Sequence, residues 1–291
     1  MRRRTLLLLA AMLLLPAAIG WLVFYGAPLG MLGLETVRHH RAAPVADGLL
    51  PVTYARVLAN PLYRRLLGET FKLAGLCALV CLLVGYPIAW GLRLAADWAR
   101  RRGSAGSLGP MLVNVVVRSL GWLVVLGEFG LLNLVLRTLR LEADLSRRSR
   151  LMGELAELGD MVEVFLPLMV LALYGAVANI DLATIHAARN LGATRARAYI
   201  EVVLPLSLPG AAVGVVSVFA LATGAYITVA AFGGVRVRAM AETAYEQSAT
   251  LVDWQLGAAV LVVLLVSAGL LLRLLFAWLR RADRDANGPP G

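Results

Sequence analysis

The sequence predicts an all-α membrane protein with six transmembrane helices. Of its 291 residues, 60% are hydrophobic and 16% are charged, and the mean hydropathy is +0.77. Soluble globular domains carry about 25% charged residues. The charged residues here also cluster between long uncharged runs, several of which approach the roughly 20 residues that a helix needs to cross a bilayer.

The first predicted span follows Arg2, Arg3 and Arg4 and is uncharged from Thr5 to Leu34. A cleaved signal peptide has a shorter apolar core, of roughly 7–15 residues. We therefore predict an uncleaved anchoring helix, with an extracytoplasmic loop completing an N-terminal region of residues 1–64.

Three further spans follow. The second is predicted over Leu73–Leu92, with a kink at Pro87. The third begins near Leu108, is interrupted by Arg118 and ends near Leu126. The fourth is predicted over Val164–Ile180.

The last two spans flank a second uncharged region. Pro205 and Pro209 are expected to separate a short amphipathic lead-in from the fifth span, which is predicted over Gly210–Gly234. The sixth span is predicted over Trp254–Leu272. Residues 65–281 thus form a core of five helices, and 282–291 are predicted to be a disordered tail.

Orientation is predicted from the distribution of arginine, because cytoplasmic loops carry an excess of basic residues. With both termini cytoplasmic, most arginine clusters fall inside. The segment Arg137–Arg150 would lie outside although it carries five arginines. That segment conflicts with the rule.

Several kinds of chemistry are excluded by missing motifs. An ATP-binding P-loop needs a Gly-Lys pair, and the only lysine, Lys72, follows Phe71. The histidines form no H-E-x-x-H pair, and Cys77 and Cys81 lie in one apolar segment where neither a disulfide framework nor a zinc site is indicated. The net charge of +10 is not arranged as a basic stripe with interleaved aromatics, so nucleic-acid binding is not expected.

Residues 181–209, here called the 181–209 segment, connect the fourth and fifth spans and are too long for a simple turn. Leu182–Asn190 favours a helix, Gly192 interrupts it, and Ala193–Val203 restarts a helix that Pro205 is expected to end. Two short helices joined at a glycine would form a protruding elbow. An interfacial amphipathic loop is the alternative that periodicity leaves open.

The 181–209 segment resembles the cytoplasmic docking loop of permease subunits in binding-protein-dependent ABC importers. That loop has the spacing E-A-A-x3-G-x9-I-x-L-P. Here the matching residues are Ala187, Ala188, Gly192, Val202, Leu204 and Pro205. His186 replaces the usual glutamate and Val202 the usual isoleucine, which leaves the polar contacts of the first position open.

The resemblance extends from about Tyr63 to Leu279 and is closest to the spermidine/putrescine-type permeases. It is carried by several short stretches: residues 117–122, 126–133, 166–174, 224–234 and 253–259. It implies a MetI-like permease fold in a bacterial inner membrane.

The resemblance also implies partners and a site. ATP would be bound by a dimer of cytoplasmic ABC ATPase subunits, with no cofactor in this chain. A second homologous permease or a second copy of this chain, an extracytoplasmic solute-binding protein and membrane lipid would complete the assembly. The implied ATPase-docking residues are Asp181, His186, Ala187, Ala188, Gly192, Val202, Leu204 and Pro205.

The implied solute is a polyamine, with iron, thiamine or aminoethylphosphonate as alternatives. An intramembrane charge is a functional candidate with an expected partner, and for Arg118 we expect Glu128 or Glu163. Snorkelling of Arg118 to the interface is the other possibility. Trp122, Tyr226 and Thr228 are further candidates for the pathway, although packing would also explain the latter two.

Gly210 and Gly214 form a small-x-x-x-small face that would let another helix approach closely. Two other classes of protein stay open. An ion-coupled secondary transporter should show intramembrane carboxylates and repeated halves. A membrane enzyme should show converging catalytic groups, which the predicted spans lack.

Overall fold

The computed structural model describes residues 15–16, 18–35, 50–94, 115–126, 130–138, 145–225 and 239–287. All regular structure within these ranges is helical, which confirms the all-α prediction. The chain divides into two compact units, one formed by Met1–Arg64 with Thr243–Leu265 and the other by Arg65–Glu242 with Val266–Gly291.

Four helices in the described ranges are long and apolar enough to cross a membrane. They cover Pro61–Leu94, Gly153–Ala178, Ala196–Thr223 and Trp254–Ala277, and they correspond to the second, fourth, fifth and sixth predicted spans. The first predicted span contains a shorter apolar helix, Ala18–Leu34. The third is described only from Val115, so the total of six stays a prediction.

The first unit contains a π-helical turn at Leu22–Gly26, then helices α1 (Ala27–Glu35) and α2 (Leu50–Ala59). A second π-helical turn, Glu246–Thr250, precedes the start of the last helix. Gly257 lies close to that turn: a Cβ there would be 2.9 Å from the carbonyl oxygen of Ala244. Only glycine allows this approach without displacing backbone.

The second unit contains most of the remaining helices. They are α3 (Pro61–Leu94), α4 (Val115–Leu126), α5 (Leu131–Thr138), α6 (Leu145–Ala178), α7 (Leu182–Asn190), α8 (Arg195–Ala198), α9 (Leu204–Thr223), α10 (Met240–Tyr245) and α11 (Trp254–Asn287), of which α3, α10 and α11 also contribute to the first unit. Its core is a cluster of fully buried side chains from α3, α6 and α9, among them Cys77, Cys81, Met169, Leu173 and Val218. The burial of both cysteines agrees with their apolar setting.

The helix of the fourth span begins at Leu145, well before the predicted Val164. The arginines between 147 and 150 are therefore helical rather than part of an outer loop. Residues 145–163 are rich in Leu, Glu, Met and Arg, which are strong helix formers. An uncharged run does not mark this part of the helix, because it carries arginines and the carboxylates of Glu154, Glu157, Asp160 and Glu163.

The predicted bounds of the fifth span are wrong. The helix continues through Pro205 and Pro209 and ends at Thr223, before Gly224. A π-helical turn at Tyr199–Val203 precedes it, closed by the backbone N–H of Leu204 donating to the carbonyl of Tyr199. Pro205 then stands in the first turn of α9, where a missing N–H costs little.

The last helix continues beyond the predicted Leu272 to Asn287. It thus enters the segment 282–291 that was predicted to be a tail. The four final residues lie outside the part of the chain that the structure describes.

Candidate functional site

The 181–209 segment contains the predicted turn at a glycine between two helices, of which the first, α7, is short as predicted. The second begins at Arg195 and continues into α9 instead of ending at Pro205. Asp181 caps α7, and its carboxylate accepts a hydrogen bond of 2.9 Å from the backbone N–H of Ala183. Gly192 has a φ of +94°, in the left-handed region that side chains rarely adopt. The chain reverses there, and Thr194 accepts a hydrogen bond from the N–H of Arg197 to restart the helix.

The two faces of this elbow differ in exposure. Ile185 and Ala198 are buried and Ala188 is half-buried, in a small core that also contains Val177 and Val203. On the other face the side chains of His186, Ala187 and Arg189 are exposed, and Leu191 at the tip is 90% exposed.

The remaining predicted docking residues lie in the second half of the segment. Val202 is half-buried in the π-helical turn, while Leu204 and Pro205 are exposed at the start of α9. Arg197 is exposed and pairs with Glu201 one turn later, at 2.8 Å. The predicted docking residues therefore share one segment but do not all share its exposed face.

Three aromatic rings fix the base of the elbow to α3, and we call Tyr86, Trp90 and Tyr199 the aromatic anchor. The Tyr199 ring lies edge-on to both others, with centroid distances of 5.7 Å to Tyr86 and 5.3 Å to Trp90. Because the Ser207 hydroxyl donates to the carbonyl of Val203, the Tyr86 hydroxyl donates to Ser207 Oγ. The anchor thus connects α3 to the start of α9.

Arg93 completes this attachment from the end of α3. Its guanidinium donates two hydrogen bonds, to the carbonyl oxygens of Val177 and Ile180. These carbonyls lie at the C-terminal end of α6, where helix carbonyls have no partner within the helix and the dipole favours a cation. Sequence analysis missed Arg93 and the aromatic anchor, because only the tertiary structure brings these positions together.

Helix α9 lies directly against α6 along the two glycines identified in the sequence. A Cβ at Gly210 would be 2.2 Å from the Cβ of Ala176, and one at Gly214 would be 2.8 Å from the sulfur of Met169. The predicted close approach of two helices is confirmed. Movement of the elbow would therefore reach both α6 and α9, which flank it in the chain.

The charged residue in the third span is buried and paired. The Arg118 Nε donates to Asp160 Oδ1 at 2.9 Å, and the Ser119 hydroxyl donates to Asp160 Oδ2 at 2.5 Å. Asp160 is fully buried and Arg118 is 8% exposed. Asp160, and not the expected Glu163, is the partner that the described residues show for Arg118, and a guanidinium buried against this carboxylate does not snorkel to the interface. The other expected partner, Glu128, is not tested.

Trp122 contacts the same helix one turn away. Its Nε1 donates to Glu163 Oε2 at 2.8 Å, and its ring packs over Gly159, where a Cβ would be 3.1 Å from the indole. Asp160, Glu157 and Glu163 recur at helical spacing, which is the signal in the sequence that could have identified this polar face. Tyr226, Thr228 and Glu128 lie outside the described residues.

Known proteins resemble this chain over most of its length. Residues 164–284 match the family described as "Binding-protein-dependent transport system inner membrane component". The chain is 31% identical over 271 residues to the spermidine/putrescine transport system permease protein PotB of Salmonella typhimurium (strain LT2), covering 92% of each protein. It is 30% identical to PotB of Escherichia coli (strain K12), covering 92% of this chain and 96% of that one.

The fold has a counterpart among solved structures. A chain in the crystal structure of a bacterial alginate ABC transporter, in complex with alginate pentasaccharide-bound periplasmic protein, superposes with a TM-score of 0.72. The match covers 97% of this chain and 96% of that chain at 17% identity. At this identity the likeness shows the fold alone.

Proposed function

The chain belongs to the inner-membrane components of binding-protein-dependent transport systems, and from that premise we propose that it is a permease subunit of an ATP-driven polyamine importer. The similarity to PotB over nine-tenths of both chains supports spermidine or putrescine as the solute. Iron, thiamine and aminoethylphosphonate are the alternative solutes, and a transport experiment with the reconstituted importer distinguishes them from a polyamine.

The observation that carries the proposal is the geometry of the 181–209 segment. Its exposed face presents His186, Ala187 and Leu191 around a left-handed glycine, and its buried face is attached to α3, α6 and α9. A partner that holds the exposed face can therefore displace three membrane helices together. Rigid elements that move between two arrangements are what coupling to ATP requires.

The proposed partners follow from these two faces of the segment. A dimer of ATPase subunits would bind the elbow from the cytoplasm, and both chain termini would lie on that side. A second permease, identical or homologous, would complete the pathway, and an extracytoplasmic binding protein would deliver the solute. This chain would hydrolyse no ATP itself.

The test is import of labelled spermidine by proteoliposomes that contain the chain with its native partner subunits. We expect uptake that requires internal ATP and the binding protein loaded with spermidine. Uptake driven by an ion gradient without ATP would contradict the importer, whereas ATP-driven uptake of only a different solute would contradict the polyamine.

Gly192→Val tests the elbow itself. A β-branched residue at φ +94° is strongly disfavoured, and the left-handed conformation costs side chains about 1–2 kcal/mol per residue. We expect the spermidine imported for each ATP hydrolysed to fall about ten-fold, with the protein still inserted.

Gly175→Val is the matched control. Gly175 is exposed on α6 and a Cβ there would meet nothing within 4 Å. For each ATP hydrolysed, Gly175→Val should import at least half as much spermidine as the wild type. Wild-type coupling in Gly192→Val, measured at equal amounts of inserted protein, would refute the docking role of the elbow.

A further inference from the structure

Among the described residues, a buried carboxylate on α6 has no counter-charge, and one of its oxygens has no hydrogen-bond partner. Glu157 is 4% exposed, and its Oε1 forms no hydrogen bond within the part of the chain that the structure describes. Burying a charged group without a partner is costly, so such groups are normally paired. Glu157 differs in this respect from Asp160, one turn later, which is held by Arg118 and Ser119.

The groups around Glu157 add negative charge instead of a counter-charge. The charges that act on its carboxylate are those of Glu242 and Glu154, both of the same sign. We call Glu154, Glu157 and Glu242 the carboxylate cluster. Like charges in a poorly solvated site repel one another, and a cation placed among them would be bound favourably.

One member of the cluster, Glu154, lines a cleft between α3 and α6. The cleft has a volume of about 210 Å³ and is lined by Glu69, Lys72 and Leu76 of α3 and by Glu154, Leu155 and Leu158 of α6. Lys72 lies 3.4 Å from Glu69, so that pair is close to neutral. The carboxylate of Glu154 adds a net negative charge to the cleft, and the same charge acts on the buried Glu157, three residues later on α6.

The position of the cluster along α6 is also informative. Glu157 precedes the end of α6 at Ala178 by 21 residues, which corresponds to about 31 Å at 1.5 Å per residue. The hydrocarbon core of a bilayer is about 30 Å thick. Because the 181–209 segment follows that end directly, the carboxylate cluster lies near the opposite surface of the membrane.

We propose that the carboxylate cluster is a binding site for an alkylammonium group, which receives the solute at the membrane surface opposite the elbow. Glu157 is the residue that binds the ammonium, and Glu154 attracts it through the cleft. This inference rests on the proposed function, since primary amines with pKa values near that of lysine are cationic at neutral pH. One of the two or three cationic nitrogens of putrescine or spermidine would supply the counter-charge that Glu157 lacks among the described residues.

The experiment compares Glu157→Gln with the wild type in the reconstituted importer, at a saturating concentration of spermidine-loaded binding protein. Glutamine keeps the shape of the side chain and removes its charge. We expect the spermidine imported for each ATP hydrolysed to fall at least ten-fold, equivalent to about 1.4 kcal/mol. Glu157→Asp, which retains the charge, should recover at least a third of the wild-type value.

Glu163→Gln is the control on the same helix. The Glu163 carboxylate accepts a hydrogen bond from Trp122, and a glutamine oxygen can accept the same bond. The spermidine that Glu163→Gln imports for each ATP hydrolysed should stay within two-fold of the wild-type value. If Glu157→Gln does not assemble, Glu154→Gln, whose half-buried carboxylate lines the cleft, should reduce transport about three-fold.

The two proposals fail in different ways. Wild-type protein that imports neither spermidine nor putrescine would overturn the polyamine function and the site with it. Wild-type protein that imports spermidine, together with Glu157→Gln or Glu154→Gln that does so at the wild-type ratio, would overturn the carboxylate cluster alone. A fall of the same size in Glu163→Gln would also overturn it.

Discussion

At the scale of single residues, the described helices contain a buried charged pair and, one turn away, a buried carboxylate without a counter-charge among the described residues. Arg118 and Asp160 are both buried and hydrogen-bonded, and Ser119 uses the second carboxylate oxygen. Such a pair does not in itself imply high stability, but removing one member leaves the other charge buried alone. Glu157 has no such neighbour among the described residues, which is why we assign it a ligand.

Asp160→Ala should lower the free energy of unfolding by about 3–5 kcal/mol, because it leaves the Arg118 guanidinium buried without its carboxylate. The measurement is the loss of helical circular dichroism as the purified protein in mild detergent is titrated with dodecyl sulfate. The double variant Arg118→Leu with Asp160→Leu should recover most of the loss.

Glu201→Ala is the control for that prediction. It breaks an ion pair whose members are exposed, where water screens the interaction, so the midpoint of unfolding should not move. A double variant as unstable as Asp160→Ala, or a single variant with a wild-type midpoint, would contradict the role given to the pair.

The sequence showed that Arg118 needed a partner but could not identify it. The expected partners, Glu128 and Glu163, lie next to the apolar runs of the predicted third and fourth spans, and Asp160 lies four residues before the predicted start of the fourth span. Only the structure shows that α6 is already helical there and brings Asp160 to Arg118.

At the scale of helices, small residues determine which elements move together. The spacing of Gly210 and Gly214 correctly predicted a close helix contact, and the structure adds that the partner is α6. The prolines were harder to interpret. Pro205 was expected to end a helix, but a π-helical turn shifts the hydrogen-bond pattern before it, and the helix continues to Thr223.

Gly210→Ala should weaken the contact between α6 and α9. The added Cβ would be 2.2 Å from that of Ala176 and 3.3 Å from its Cα, neither of which can rotate away. Overpacking of this kind typically costs about 1–3 kcal/mol. We expect an earlier midpoint in the same dodecyl sulfate titration and slower import.

Gly175→Ala places the same methyl group on α6 where a Cβ meets nothing within 4 Å. Its midpoint should match that of the wild type or exceed it slightly, because alanine favours helix more than glycine does. Equal destabilisation by both substitutions would show that the contact at Gly210 is unimportant.

At the scale of the whole molecule, the two candidate sites are separated along α6 by about the thickness of a bilayer. The elbow follows the C-terminal end of α6, and the carboxylate cluster lies about 31 Å earlier along the helix. Arg93 and the aromatic anchor attach that end to α3. A single helix would thus connect the proposed solute site with the elbow, to which the ATPase subunits are proposed to bind.

The class of protein, its fold and the elbow were predictable from the sequence, because long apolar runs and a spaced motif are local signals. Exposure was not. Ala188 belongs to the motif but packs inward, whereas Leu191 occupies a position that the motif leaves unspecified and is 90% exposed. Which side of a short helix is free depends on contacts with α3 and α6 that no local pattern records.

The central claim, that the exposed face of the elbow binds an ATPase, is tested most directly by crosslinking. The native cysteines, Cys77 and Cys81, are both fully buried, so Leu191→Cys introduces an accessible thiol at the tip. In the assembled complex, a short thiol-reactive photocrosslinker at this position should join the chain to the ATPase subunit. Leu155→Cys, which is 53% exposed near the other end of α6, should label equally and give no such product. Labelling of Leu191→Cys without a crosslinked ATPase, or an equal crosslink from Leu155→Cys, would contradict the claim.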